Sequence, residues 1–146
     1  MKNKKPVIVS ACLLGLDTRY DGASAFSALV AELLKGRAFI PVCPEQLGGL
    51  ATPRPKAAIV SGSGTDVLCG KTRVMDESGA DVTERFVKGA EAVLKVARMC
   101  GTTEAFLKDK SPSCGVSSIY NDAKLASGEG VTTALLRKNG IEPTGF

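Results

Sequence analysis

The chain has 146 residues, 44% hydrophobic and 23% charged, with 19 Lys and Arg against 15 Asp and Glu for a net charge of +4. At about 100–200 residues per domain this predicts one folded domain spanning 1–146, and the composition excludes a disordered chain. The absence of His removes the usual general base, the usual zinc nitrogen ligand and every Ser–His or Cys–His nucleophile pair.

Residues 7–11 are short, β-branched and apolar, the pattern of a central parallel strand. Basic residues before them and Cys12 after them mimic a lipoprotein signal. The apolar run before the cysteine is six residues at most, however, and it continues through Leu13, Leu14 and Leu16, so a buried first strand is expected. Residues 12–22 have a loop composition, with Gly15, Asp17, Asp21 and Gly22. An amphipathic helix is predicted over 23–36, where Phe26, Leu29, Val30, Leu33 and Leu34 recur at helical spacing, capped by Ser24 and closed by Gly36.

The second strand is expected at 39–42, followed by a rigid irregular loop over 43–55 that holds Pro44, Pro53, Pro55, Gly48 and Gly49. Residues 57–70 read as a short strand, a Ser-Gly-Ser-Gly-Thr turn and a second short strand around Val67, with 73–75 extending the excursion. A long helix spans 82–100; Phe86, Val87, Ala90, Val93, Leu94 and Ala97 form its apolar face, Thr83 is its N-cap and Gly101 its stop. Strands follow at 105–107 and 118–120, then a polar loop to Gly130, a helix over 131–139 ended by Gly140, and a terminal strand from Ile141. The alternation predicts an α/β fold: an open, mostly parallel sheet flanked by helices in a Rossmann-like three-layer arrangement, with a small β excursion near residues 57–75.

No apolar run approaches the ~18–20 residues of a membrane span. Without the N-terminal Lys2, Lys4 and Lys5 the chain is nearly neutral, and aromatics are 5% with no Trp, so neither a membrane nor an extended nucleic-acid surface is expected as a partner. Five cysteines in an odd count, with no CxxC pair, predict reduced thiols in a cytoplasmic setting, open to metal or cluster ligation.

Three of the five share one topological address. Cys12 follows the first strand, Cys43 the second, and Cys114 lies in the segment after the strand at 105–107, where open α/β sheets place their ligand crevice. Each sits near Gly or Pro, which stiffens a loop and lets it approach a bulky ligand. Three thiolates without His suit a soft, thiophilic centre, and a four-iron cluster held by three cysteines would leave one iron open. The plain alternative is three small interior side chains, which is also the better account of Cys69 and Cys100.

Around these lie further candidates, each with a bland alternative. Glu45 stands two residues past Cys43 and could move protons, or cap backbone amides. Ser111 and Ser113 flank Pro112 and could polarise a substrate atom or hold a water, or form local turns. Lys108 and Lys110 could bind an anion, or be solvated charges. Arg19, Tyr20 and Asp21 could recognise a planar polar ligand, or Arg19 and Asp21 could brace their own loop.

In combination, Ser10-Ala11-Cys12-Leu13-Leu14-Gly15, Arg19-Tyr20-Asp21-Gly22, Cys43-Pro44-Glu45-Gln46-Leu47-Gly48-Gly49-Leu50, Asp66-Val67-Leu68 with Gly70-Lys71, Asp81-Val82-Thr83 and Lys110-Ser111-Pro112-Ser113-Cys114-Gly115 resemble the DUF523 family over essentially the whole chain. Relatives of that family include thiouracil desulfidases. The resemblance implies Cys12, Cys43 and Cys114 as ligands of a [4Fe-4S] cluster whose open iron takes sulfur from a thiolated base, the small-molecule partner, while water supplies the replacing oxygen. It implies Glu45 with Ser111 or Ser113 as catalytic groups; Arg19, Asp21 and Lys110, from the residue reading above, are the expected substrate-binding set. Some relatives carry a further cysteine just before Arg-Tyr-Asp-Gly, where this chain has Thr18. The competing expectation is a non-enzymatic sulfide or metal carrier that binds zinc through the same thiolates.

Overall fold

In the computed structural model, which describes residues 4–121 and 124–146, the elements follow in the order β1 (Val7–Ser10), α1 (Ala28–Leu33), β2 (Phe39–Val42), α2 (Pro44–Leu47), β3 (Ala57–Ile59), α3 (Gly64–Leu68), β4 (Val74–Asp76), α4 (Thr83–Cys100), β5 (Glu104–Leu107), β6 (Ser118–Asn121), β7 (Lys124–Ser127), α5 (Val131–Lys138) and β8 (Glu142–Gly145). A 3-10 turn, Ala11–Leu14, continues directly from β1.

The first sheet is parallel throughout, in the order β2-β1-β5-β8. Ile8 stands opposite Ile40 on one side and Ala105 on the other. Val7, Ile8 and Val9 are wholly buried because both faces of the strand are covered. Ile8 packs with Val42, Val93, Leu94, Ala105 and Leu136, under α4 and α5. Val7 and Val9 pack with Leu13, Val30 and Leu34 on the opposite face. Burying each such side chain stabilises by about 1.5–3 kcal/mol, so the strand that leads into Cys12 is among the firmest parts of the molecule.

The β excursion is larger than its sequence suggests. β3 pairs antiparallel with β4 and parallel with β6, and β7 completes a second four-stranded sheet in the order β4-β3-β6-β7. Helix α4 serves both sheets. Phe86 and Ala90 lie in the core with Ile59, Val67 and Ile119, whereas Val93, Leu94 and Ala97 lie in the core of the parallel sheet. Among the described residues, no helix is long and apolar enough to cross a membrane.

Local chemistry overrides several of the predicted boundaries. The residues around Val67 form α3, not a strand: the Asp66 carboxylate accepts from the Ser63 backbone N–H (2.9 Å), a reciprocal N-terminal cap that outweighs the β-branched Val67. Helix α1 starts at Ala28, not at 23, and its cap is Ser27, whose hydroxyl accepts from Val30 N–H. Residues before it are held extended, because Ala25 N–H and Ser27 N–H donate to the Cys12 and Leu13 carbonyls. Of the predicted α1 face only Val30 and Leu34 are buried; Phe26, Leu29 and Leu33 are exposed.

The loop after β2 contains α2, with Pro44 at its first turn, where a missing N–H costs nothing. Thr83 is the first residue of α4 and not its cap; its hydroxyl accepts from Val74 N–H (2.9 Å), tying α4 to β4. Part of the expected polar loop before Gly130 is β7, paired antiparallel with β6. Residues 122 and 123 of that stretch lie outside the described residues.

Two glycines let α4 lie directly on α2. A Cβ at Gly89 would overlap the Pro44 carbonyl, and one at Gly48 would overlap the Arg85 carbonyl. Gly89→Ala is therefore expected to lower stability by about 1–3 kcal/mol, despite the better helix propensity of Ala. The urea midpoint of the variant against the wild type checks this; an unchanged or raised midpoint would mean that the two helices do not touch there.

Candidate active site

The carboxyl ends of β1, β2 and β5 open on one side of the parallel sheet, and each runs into a segment that bears a cysteine. Cys12 sits in the 3-10 turn, which is closed by Gly15 in a left-handed conformation (φ 88°). Cys43 is the N-cap residue of α2, followed at once by Pro44. Cys114 lies on the loop strapped to the start of α5. There the Val131 and Thr132 N–H groups donate to the Pro112 and Ser113 carbonyls (2.9 and 2.8 Å), and the Thr133 hydroxyl donates to the Cys114 carbonyl. The helix N-terminus, which must find partners for its free N–H groups, finds them in this loop. Gly130 makes the approach possible, since a Cβ there would come within 2.6 Å of the Ser113 carbonyl oxygen.

Cys12, Cys43 and Cys114 all line one cavity of about 300 Å³. Cys69, at the end of α3, and Cys100, at the end of α4, are not on its wall. Burial raises all three cavity thiols. Cys12 is raised further by the neighbouring Cys43, and Cys114, buried and facing both others, is pushed up to about 12. Thiols held this way keep their protons at neutral pH until a cation replaces them. Soft donors on stiff loops fit a thiophilic group, although no three His, Cys, Asp or Glu side chains among the described residues are gathered closely enough to hold a single metal ion.

Beside the thiols runs a hydrogen-bonded chain. The Ser113 hydroxyl donates to Glu45 Oε2 (3.0 Å) and lies 2.9 Å from the Ser111 hydroxyl. An ionised carboxylate only accepts, so Ser113 spends its single proton on Glu45 and Ser111 must donate to Ser113. Ser111 Oγ in turn accepts from the Ser113 and Cys114 N–H groups, which uses both of its lone pairs. Glu45, in the first turn of α2, is held on its other oxygen by Arg54 Nε (3.1 Å).

The expected substrate-binding residues are divided. Arg19 and Lys110 line the cavity; Asp21 does not, and pairs with Arg19 (3.2 Å) while accepting from Ala23 N–H, so it braces the first loop. Lys110 adopts a left-handed backbone (φ 69°) that non-glycine residues seldom take. Arg54, Lys56 and Tyr120 are among the lining residues that the sequence did not single out. Arg54 sits between Pro53 and Pro55, and that rigid flanking was the signal available. Lys56 places its ammonium 5.9 Å from the Tyr20 ring and 5.2 Å from the Tyr120 ring, and Tyr120 reaches the cavity only because β6 joins the second sheet.

The carboxyl-terminal edge of an α/β sheet thus presents three thiols and a carboxylate to one cavity. The model of the 2-thiouracil desulfurase family matches residues 7–144, and the chain belongs to that family, whose members are enzymes that cleave carbon–sulfur bonds. This sets aside the expectation of a non-enzymatic carrier. An uncharacterized protein of Bacillus subtilis (strain 168), YbbK, is 42% identical over 137 residues, covering 92% of this chain and 91% of its own. A solved structure described as the [4Fe-4S]-dependent thiouracil desulfidase TudS is 44% identical, with a TM-score of 0.82 over 97% of this chain and 91% of that one.

Asp109 fixes the loop that presents Lys110 and Ser111. One oxygen accepts from the Lys110, Val116, Ser117 and Ser118 N–H groups, and the other from the Ser117 hydroxyl (2.7 Å). Burial works to raise this carboxyl, but the Ser117 hydroxyl and the surrounding amides outweigh it and hold the group far below the usual carboxylate range. Because the folded value lies below the unfolded one, the stability it contributes is present above about pH 4 and is lost as the pH falls further. Asp109→Asn should cost about 1–2 kcal/mol at pH 7, with the gap to wild type closing below about pH 4. Urea unfolding at several pH values checks this, and a pH-independent gap would contradict it.

Proposed function

We propose that this enzyme removes the thiocarbonyl sulfur of a thiolated pyrimidine base such as thiouracil and puts a water-derived oxygen in its place. The observation that carries the reading is the meeting of Cys12, Cys43 and Cys114 on one cavity wall with the Ser111–Ser113–Glu45 chain. The three thiolates would hold a [4Fe-4S] cluster, which when bound supplies an open iron as a Lewis acid for sulfur. A single zinc draws its thiolates to within ~4 Å of one another, whereas a cubane spreads them to ~6–7 Å. The 44% identity to a solved structure described as a [4Fe-4S]-dependent thiouracil desulfidase supports the cluster.

The roles of the side chains follow from their bonds. Glu45 accepts a proton from the incoming water and returns it as sulfur leaves as hydrogen sulfide; carbon exchanges a bond to sulfur for one to oxygen with no external redox change. Ser113, bonded to Glu45, holds that water, and Ser111 donates to Ser113 to fix its orientation. Arg19 and Lys110 donate to the polar edge of the base, and Asp21 acts through Arg19. A cytoplasmic setting, where thiols stay reduced, suits this chemistry.

Anaerobic reconstitution followed by conversion of 2- or 4-thiouracil to uracil, with sulfide released in equal amount, tests the reading directly. Cys43→Ser is expected to lower bound iron and abolish turnover, and Glu45→Gln to keep the iron while lowering kcat by about 10²- to 10⁴-fold. Full cluster occupancy with no base conversion would overturn the substrate assignment.

A further inference from the structure

Arg54 is fully engaged on the cavity wall, and only 5% of its side chain is exposed. Its five N–H groups meet five acceptors: Nε donates to Glu45 Oε1 (3.1 Å), Nη1 to the Ala51 carbonyl (3.2 Å) and the Thr52 hydroxyl (2.8 Å), and Nη2 to the Thr18 carbonyl (3.0 Å) and Cys43 Sγ (3.9 Å). Its own backbone N–H donates to the Tyr20 carbonyl (2.8 Å). One planar fork thus joins the first loop, the start of α2 and the proline-flanked segment.

We propose that Arg54 is a positioning residue that couples the carboxylate of Glu45 to the sulfur of Cys43. The inference rests on the function proposed above and extends it to a residue outside the ligand and acid–base set. Tying Oε1 leaves Oε2 as the oxygen that faces Ser113, so the guanidinium selects which side of the carboxylate handles the proton. The contact to Cys43 is the second output. As a thiol, Cys43 donates to the Thr18 carbonyl (3.7 Å), and that proton is gone once the sulfur binds a metal. The Arg54 Nη2–H then remains as a side-chain donor to Cys43, beside the Glu45 and Gln46 backbone N–H groups, and hydrogen bonds to ligand sulfur tune the electronics of an iron–sulfur centre. A lysine cannot reproduce this, because a single ammonium has no fork that reaches both Glu45 and Cys43.

The test uses anaerobically reconstituted full-length protein. Arg54→Gln is expected to bind wild-type amounts of iron and sulfide, to lose about 10- to 100-fold in kcat, and to keep KM within about threefold. Its reduced-cluster signal in electron paramagnetic resonance should titrate at a more negative potential than that of the wild type. Arg54→Lys should show the same two changes, which covers the case in which Arg54→Gln fails to fold. Guanidinium ion at millimolar concentration should restore part of the kcat of Arg54→Ala but none of that of Arg54→Ala combined with Glu45→Gln. A wild-type potential with wild-type kcat in either single variant overturns the proposal. If the wild type holds a cluster but does not desulfurate thiouracil, the function assigned above fails, while the potential shift still decides whether Arg54 acts on Cys43.

Discussion

The site depends on one constraint: three neighbouring parallel strands must end at the same edge of one sheet. Parallel pairing places the carboxyl ends of β1, β2 and β5 together, and the residues that follow them have nowhere to go but around a common opening. Cysteines that are 31 and 71 positions apart (12 to 43, and 43 to 114) become neighbours without any local sequence motif to link them. The buried β1 holds the register that makes this possible. A slip by one residue would exchange the two cores that Ile8 and the Val7–Val9 pair fill and move Cys12 with them.

The second sheet contributes what the first cannot. The parallel sheet supplies the thiol-bearing segments, and the excursion brings in Lys56 and Tyr120 from the other side of the cavity. Helix α4 binds the two halves with a continuous apolar stripe, from Phe86 in one core to Ala97 in the other. Its close contact with α2 through Gly48 and Gly89 also sets the position of Glu45. The acid–base group is therefore aligned by packing between helices as well as by its polar partners.

The α/β architecture and the address of the cavity were legible in the sequence because they follow from periodicity and strand ends. Val7 to Val9 could only be an interior strand, and Cys12 and Cys43 each come directly after one. What escaped was set by short-range competition or by long-range pairing. Val67 has strand propensity, yet the Ser63–Asp66 bond makes it helical. The start of α1 moved because Ala25 and Ser27 give their N–H groups to the 3-10 turn. The second sheet exists because β3 meets β6 across some sixty residues of chain (Ile59 opposite Asn121), which no local pattern encodes. Arg54 was missed for a related reason: Ala51 and Thr52 are local partners, but the three that tie it to the site, on Thr18, Cys43 and Glu45, come from other segments.

The Thr18 carbonyl receives both Arg54 and the Cys43 thiol. What holds those two groups at position 18 is a main-chain oxygen, which every amino acid carries, and the threonine side chain takes no part in either bond. Evolution is thereby left free at this spot: the residue type can drift, even to another thiol, while the scaffold around the opening keeps its anchor.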